Sequence, residues 1–175
     1  MFPNCDGRTI ALDPDMIPLI RRATPFDIPA LATTHREVFP RQRDSEAWVS
    51  ATLAATPRMF AFVAEVASSR VVGYAFWAQK SGIRASAVLE LDQIAVLTEF
   101  RGKGFARHLI KESLAIVKSD LLSNHQVVKS ILVSTRADNR AQRLYSDVLG
   151  VRIVATIDNL YSATEVLLLG DCPDA

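Results

Sequence analysis

Cysteine is nearly missing from this chain: Cys5 and Cys172, near opposite ends, are the two in 175 residues. They match no metal-ligand spacing. A disulfide between them requires the termini to meet, so two free thiols in a reducing compartment are the favoured reading. Histidine is as scarce, with three residues, and no His/Cys/Asp/Glu cluster has the spacing of a metal site. No apolar run approaches the roughly 20 residues that span a bilayer. The start, MFPNCDGRTIALDPD, lacks a basic segment followed by an apolar block, so no signal peptide is expected and the compartment expected is the cytoplasm. An excess of one charge is lacking too. Lys and Arg number 20 against 19 Asp and Glu, without the clustered basic excess of a nucleic-acid surface. Neither nucleic acid nor membrane is therefore an expected partner, and internal repeats and low-complexity tracts are absent.

What is there suffices for one domain with a real core: 49 % hydrophobic and 22 % charged residues. Residues 1–16, with two prolines, a glycine and three aspartates without periodicity, read as a loose leader. The folded domain is expected over 17–170, with 171–175 as a tail.

IPLIRRA (17–23) reads as a short strand. Thr24 then suits a helix cap, with Pro25 in the first turn and Asp27 at the positive end of the dipole. Ile28, Leu31, Ala32, His35 and Val38 follow at helical spacing until Pro40. A second helix is expected over about 44–55. MFAFVAEV (59–66) and VVGYAFWA (71–78) flank a short polar turn and predict an antiparallel hairpin. AVLELDQIAV (87–96) predicts a long strand, followed by a helix from about Gly104 to Leu122. SILVST (130–135) predicts a short apolar strand, ADNRAQRLYSDVL (137–149) a helix stopped by Gly150, and VRIVATI and ATEVLLL a closing pair. The class is α/β: a single domain with a mixed, mostly antiparallel sheet, a central parallel βαβ unit at 87–135, and about four flanking helices.

EFRGKGFARHL (99–109) carries the strongest chemical signal. The first amides of a helix lack intrahelical partners and sit at its positive end. Gly102 and Gly104 let backbone approach a ligand without a Cβ in the way, and Arg101 and Lys103 add charge. Together they favour a phosphate or diphosphate group. The loop is not a P-loop, because Phe105 follows where Ser or Thr belongs; nor is it GxGxxG, because His108 stands in place of the third glycine.

Arg101-x-x-Gly104-x-Ala106, five residues past a strand reading Ile94-Ala95-Val96, resembles the acyl-CoA signature of the GNAT acetyltransferase superfamily. That signature is Arg or Gln, two residues, Gly, one residue, then Gly or Ala. The resemblance covers residues 18–169 and includes the order of elements and a later Asn/Ala/Tyr helix. It implies acetyl-CoA as cosubstrate, its diphosphate cradled by amides from Gly102 through Lys103, Gly104 and Phe105 to Ala106. It also implies a bulge near Ile94 to Val96, where the strand parts from its parallel neighbour. Backbone at Ile94, Ala95 and Val96 would then pair with the pantetheine arm, and the Val96 N–H would hold the thioester carbonyl.

The family's acid is usually a tyrosine in the pattern Asn, two residues, Ala, three residues, Tyr, two residues, Leu, Gly. Here Ala141 and Tyr145 keep the spacing of four, while counting from Asn139 or back from Gly150 puts Ser146 in the tyrosine's place. Helix geometry favours Tyr145, because Ala141, Leu144, Tyr145 and Val148 form one apolar face. Asp138 then takes the usual asparagine position, with Asn139 still within reach of the cofactor. Glu90, four residues before Ile94, stands where several members carry a glutamate base. Strand alternation puts Asp92 on the same face, and two carboxylates in one cleft push one pKa upward.

The function expected is N-acetylation of a primary amine, a small molecule or a peptide or protein N-terminus, by direct attack. The alternative is a non-catalytic acyl-CoA-binding module. His35 touches either the acceptor or only the core, with packing favoured, and the aromatic hairpin or closing strands offer surfaces for a homodimer.

Overall fold

The computed structural model describes residues 17–172; the leader at 1–16, Cys5 within it, and residues 173–175 lie outside the described residues. The chain enters through β1 (Leu19–Arg22), makes a 3-10 turn at Pro25–Asp27, and continues into α1 (Ile28–Val38) and α2 (Ser45–Ala54). Asp27 fixes the entry to α1. Its carboxylate accepts the Thr24 amide at 2.7 Å and the Thr24 hydroxyl at 3.0 Å, the reach-back half of a capping box. Arg21 donates to the same carboxylate through both terminal nitrogens at 2.8 Å and through Nε to Glu65 at 2.8 Å. This guanidinium, with help from Thr24, holds the Asp27 carboxyl down to about 2.

β2 (Met59–Val66) and β3 (Arg70–Gln79) form the expected hairpin. After them come β4 (Ser86–Val96), α3 (Phe105–Ser123), β5 (Val127–Arg136), α4 (Gln142–Leu149), β6 (Arg152–Ile157) and β7 (Glu165–Asp171). The seven strands make one sheet in the order β1-β2-β3-β4-β5-β7-β6. All neighbours are antiparallel except β4 and β5, which run parallel around α3. This is the expected mixed α/β sheet with its central βαβ unit and four α-helices.

Helices cover both faces. α3 packs across β2, β3, β4 and β5, with α4 beside it, while α1 and α2 lie together, α1 against β3 and β4 and α2 against β2. Period-two alternation sorts the side chains accordingly. Phe62, Ala75, Trp77, Leu89 and Leu91 join Leu109, Ile110 and Val117 in the larger core. Val63, Tyr74, Phe76 and Ala95 join Leu31 and Val49 in the smaller one. Trp77 Nε1 donates to the buried Ser113 hydroxyl at 2.9 Å, tying β3 to α3. Cys172 is buried, and its amide donates to the Lys129 carbonyl at 2.9 Å. Among the described residues no helix is long and apolar enough to cross a membrane.

Among the differences from the pattern-based expectation, three bear on the site. β5 runs from Val127 to Arg136, beyond the segment 130–135, because Val127 and Val128 still pair with β4 and Arg136 with β7. α4 starts at Gln142, because residues 137–141 form a turn held by side chains. The β4 bulge lies at Asp92, two residues ahead of the place expected: Trp77 pairs with Leu91 and Phe76 with Gln93, which leaves Asp92 unopposed. The apolar pattern carries the same shift, since Ala87, Leu89 and Leu91 face the larger core before it and Ile94 and Val96 after it.

Candidate active site

The bulge opens the sheet. β4 pairs with β5 only as far as Glu90 and Leu132, and beyond them the parallel strands part. The Leu97 amide donates to the Val72 carbonyl on the β3 side at 2.9 Å. Peptide groups alternate along a strand, so those of Val96 and Ile94 aim into the gap, and that of Ala95 aims at β3. The Val96 carbonyl already accepts Arg101 Nε at 3.0 Å; its N–H has no strand partner. Gly73 makes this end of β4 possible, because a Cβ there would meet the Ala95 carbonyl oxygen at 2.7 Å.

From the gap the chain turns through Thr98–Phe100 into the glycine loop. Gly102 at φ 74° and Gly104 at φ 84° occupy the left-handed region that glycine tolerates. A Cβ on Gly102 would meet nothing within 4 Å, so its outer side is open. Gly104 stands at the cap of α3 and has no side chain to bond its first amides, and among the described residues no other side chain takes them, so they keep their hydrogen-bonding capacity. The surrounding side chains brace the loop from behind. Phe100 lies against Phe105 at 5.4 Å between centroids. Arg70 and Lys103 each stand over the Phe100 ring, at 5.3 and 5.5 Å, and Arg70 pairs with Glu99. At the loop's start the Thr98 amide donates to Glu37 at 3.0 Å, linking it to the end of α1.

On the sheet face under α1 and α2, β4 presents Glu90 and then the bulged Asp92. Glu90 is mostly buried and meets Lys80 Nζ at 3.0 Å. Asp92 is exposed at the bulge, and its carboxyl is pushed above the ordinary aspartate range, first by the partial loss of solvation against the sheet and then by the charge of Glu90, against the pull of Lys80 and Arg58. The next residue, Gln93, accepts the buried Tyr74 hydroxyl at 2.8 Å, and Tyr74 stacks on Phe76 at 4.4 Å. Next to this face opens a pocket of about 450 Å³ lined by Arg58, Lys80, Gln79, Pro57, Gly82 and Ile83.

Tyr145 comes from across the split. It is 6 % exposed and packs in the larger core, whereas Ser146 points outward. The i, i+3, i+4, i+7 face read from sequence is thus the one that packs. Burial pushes the Tyr145 phenol upward. It makes no hydrogen bond with a described residue, and no buried side-chain polar atom among the described residues lacks a partner. Its hydroxyl is therefore the part that reaches the surface.

The turn ahead of α4 uses its own polar groups. Asn139 Nδ2 donates to Thr135 Oγ1 at 2.7 Å and its Oδ1 accepts the Ala141 amide at 2.9 Å. Arg136 holds Asp138 with two bonds of 2.9 and 2.8 Å, which keeps that carboxyl below the usual range. His35 is fully buried: Gln42 Oε1 accepts from Nε2 at 2.8 Å and Ser45 donates to Nδ1 at 2.9 Å. Of its two expected roles, it fills the packing one.

Pattern reasoning had passed over Arg58 and Lys80. The hairpin register held the signal, since Lys80 falls opposite Val88, whose carbonyl takes its amide at 2.8 Å, two residues from Glu90.

The model of the acetyltransferase (GNAT) family matches residues 26–151. No individually curated protein is similar enough in sequence to count as a relative. Solved structures are similar in shape. Arabidopsis thaliana NAA60 in complex with a bisubstrate analogue superposes with a TM-score of 0.71 at 19 % identity, over 90 % of this chain and 99 % of that one. The Escherichia coli ribosomal-protein-S18-alanine N-acetyltransferase gives 0.70 at 16 %, over 90 % and 95 %. An aminoglycoside 6′-N-acetyltransferase complexed with coenzyme A gives 0.67 at 14 %, over 87 % and 96 %. At such identities the likeness is one of fold.

Proposed function

The chain belongs to the acetyltransferase (GNAT) family, and from that premise we propose that it transfers an acetyl group from acetyl-CoA to a primary amine by direct attack. One observation carries the reading: the gap between β4 and β5, where the Val96 N–H has no strand partner among the described residues, runs straight into a helix start that no described side chain caps. A strand edge and a row of free amides, placed end to end, fit a molecule with an amide-rich arm and a diphosphate.

Each residue then has a role. The amides of Gly102, Lys103, Gly104, Phe105 and Ala106 receive the diphosphate, with Lys103 adding charge. Arg101 braces the loop through the Val96 carbonyl. Ile94 and Val96 offer their peptide groups to the pantetheine arm, and the Val96 N–H stabilises the oxyanion as the amine attacks the thioester; a donor of this kind is worth about 3 to 4 kcal/mol of barrier. Asp92 accepts the proton of the acceptor ammonium, directly or through water. Glu90, engaged by Lys80, supplies the neighbouring charge that makes Asp92 a better base. Tyr145 delivers the proton that the departing thiolate needs, since a phenol kept protonated by burial has one to give. Asn139 shapes the turn that presents Tyr145, and Asp138 stays at the rim with Arg136.

The test is direct. Titration calorimetry should detect coenzyme A binding to the purified protein, and a CoA-release assay over amino acids, peptides, polyamines and aminoglycosides should find at least one acceptor. CoA binding with flat rates throughout would favour a non-catalytic binding module. No affinity for CoA would remove the reading altogether.

A further inference from the structure

An enzyme that receives ammonium ions has reason to keep its acceptor pocket acidic, yet two of the groups lining the pocket beside Glu90 are cations, Arg58 and Lys80. Lys80 spends its charge on Glu90 at 3.0 Å. Arg58, on the connection between α2 and β2, makes no ion pair with a described residue and lines the same pocket as Lys80. The four groups therefore form a neutral set with direction: carboxylates at the bulge where the strands part, cations toward the pocket.

Resting on the acetyl-transfer reading, we infer that the acceptor is an amine bearing a carboxylate a few bonds from its nitrogen, with the ammonium end at Asp92 and the carboxylate end at Arg58. A zwitterion matches this arrangement charge for charge. A polycation gains Asp92 with one nitrogen and meets Arg58 with the next, and like charges placed so are a means of rejection. Arginine suits the task further, because its rigid fork of donors fits a carboxylate with two parallel hydrogen bonds. Pro57 and Ile83 leave an apolar wall for a modest side chain.

Two sources offer this chemistry, a free amino acid and a peptide whose first residues are acidic. Matched pairs separate them: an amino acid against its primary amide, and a peptide beginning with Asp or Glu against one beginning with Asn or Gln. The carboxylate member of at least one pair should win by about tenfold or more in kcat/KM, the size of one charged hydrogen bond. The pair that shows it names the source. Arg58→Ala should abolish that preference, read as the ratio of kcat/KM within each pair so that any change in Asp92 common to both members cancels, with coenzyme A affinity intact as the check on folding. Arg58→Glu should turn the preference toward cationic amines. Equal rates within every pair, or a preference that survives Arg58→Ala, overturn the inference and leave acetyl transfer standing. Absence of turnover with every amine overturns acetyl transfer and this inference with it.

Discussion

Two strand-to-helix turns stand side by side at the ends of the one parallel strand pair, and they are built on opposite plans. The turn after β5 satisfies itself. Asn139 receives the Ala141 amide, Gln142 Nε2 donates to the carbonyls of Arg136 and Ala137 at 3.0 and 2.9 Å, and Asp138 is held by Arg136. The turn after β4 closes only its first half, where the amides of Thr98, Phe100 and Arg101 find acceptors, and opens from Gly102 onward. Its glycines stand at positive φ, no described side chain caps the helix behind it, and nearby side chains brace it from behind. Buried or half-buried backbone donors are rarely left without partners, so the second plan makes sense where a ligand completes the set. A closed turn holds a side chain in place; an open one holds room for a guest.

The plainest way to separate the two jobs is to remove what each serves. Tyr145→Phe deletes one hydroxyl that bonds to no described residue, so stability should hardly change. If the closed turn exists to present that hydroxyl, kcat should fall by about 10² to 10⁴, with coenzyme A affinity unchanged in calorimetry. Ser146→Ala, on the outward side, should leave kcat alone. A fall for Ser146 in place of Tyr145 would reverse the register of α4.

Gly104→Asp attacks the open turn. The protein already accepts an aspartate in a left-handed conformation ahead of a helix, Asp44 at φ 52° before α2, so the fold should survive. A carboxylate at the start of α3 would then repel the incoming diphosphate. Roughly 3 kcal/mol of like-charge repulsion corresponds to about a hundredfold loss of coenzyme A affinity. Unchanged affinity would mean that the free amides are not the binding site.

A third test asks whether pH acts through either turn. Glu37, which receives the Thr98 amide, and Asp138 both have carboxyls held below their ordinary range, by that hydrogen bond and by Arg136. Both therefore protonate below the range of ordinary carboxylates, so neither turn should give rise to a limb above that range. Asp92 is shifted the other way. A base with a raised pKa works only once deprotonated, so the rate should climb with pH through a limb above the usual aspartate range. Asp92→Asn should erase that limb and lower the plateau by about tenfold, short of the hundredfold usual for a base because Glu90 stands beside it. An unmoved limb would pass the role to Glu90.

The open turn was legible from sequence because its signal is local: two glycines, two cations and a strand ahead of them. The packing face of α4 was legible for the same reason, since a helical stripe is read within one segment. The closed turn was not. The bonds of Asn139 to Thr135 and Ala141 and of Asp138 to Arg136 depend on a fold that brings a strand end and a turn together, and only coordinates show them. The bulge was displaced by two residues in the reading because Leu91 and Ile94 are both apolar, and a change of parity between them reads as an ordinary alternation until Phe76 and Trp77 are seen opposite. Arg58 and Lys80 were invisible as a pair, since 21 residues of hairpin lie between them and only the sheet brings them to one pocket.

Asn139→Ala has the smallest expected effect and cuts closest to the contrast between the turns. It removes the acceptor of the Ala141 amide and the donor to Thr135 together. Loss of a cap costs about 1 kcal/mol, which for a domain of this size lowers Tm by about 2–4 °C. Tyr145 sits one helical turn past Ala141, so a loosened start to α4 should widen the positions its hydroxyl samples and lower kcat. Coenzyme A affinity should stay within about twofold, because a turn that spends its polar groups on itself has none to give a ligand. Asn139→Asp keeps the acceptor for Ala141 and should recover most of the melting temperature. If calorimetry instead shows affinity for coenzyme A falling along with kcat, Asn139 bonds the cofactor after all, and the two turns differ in degree and not in kind.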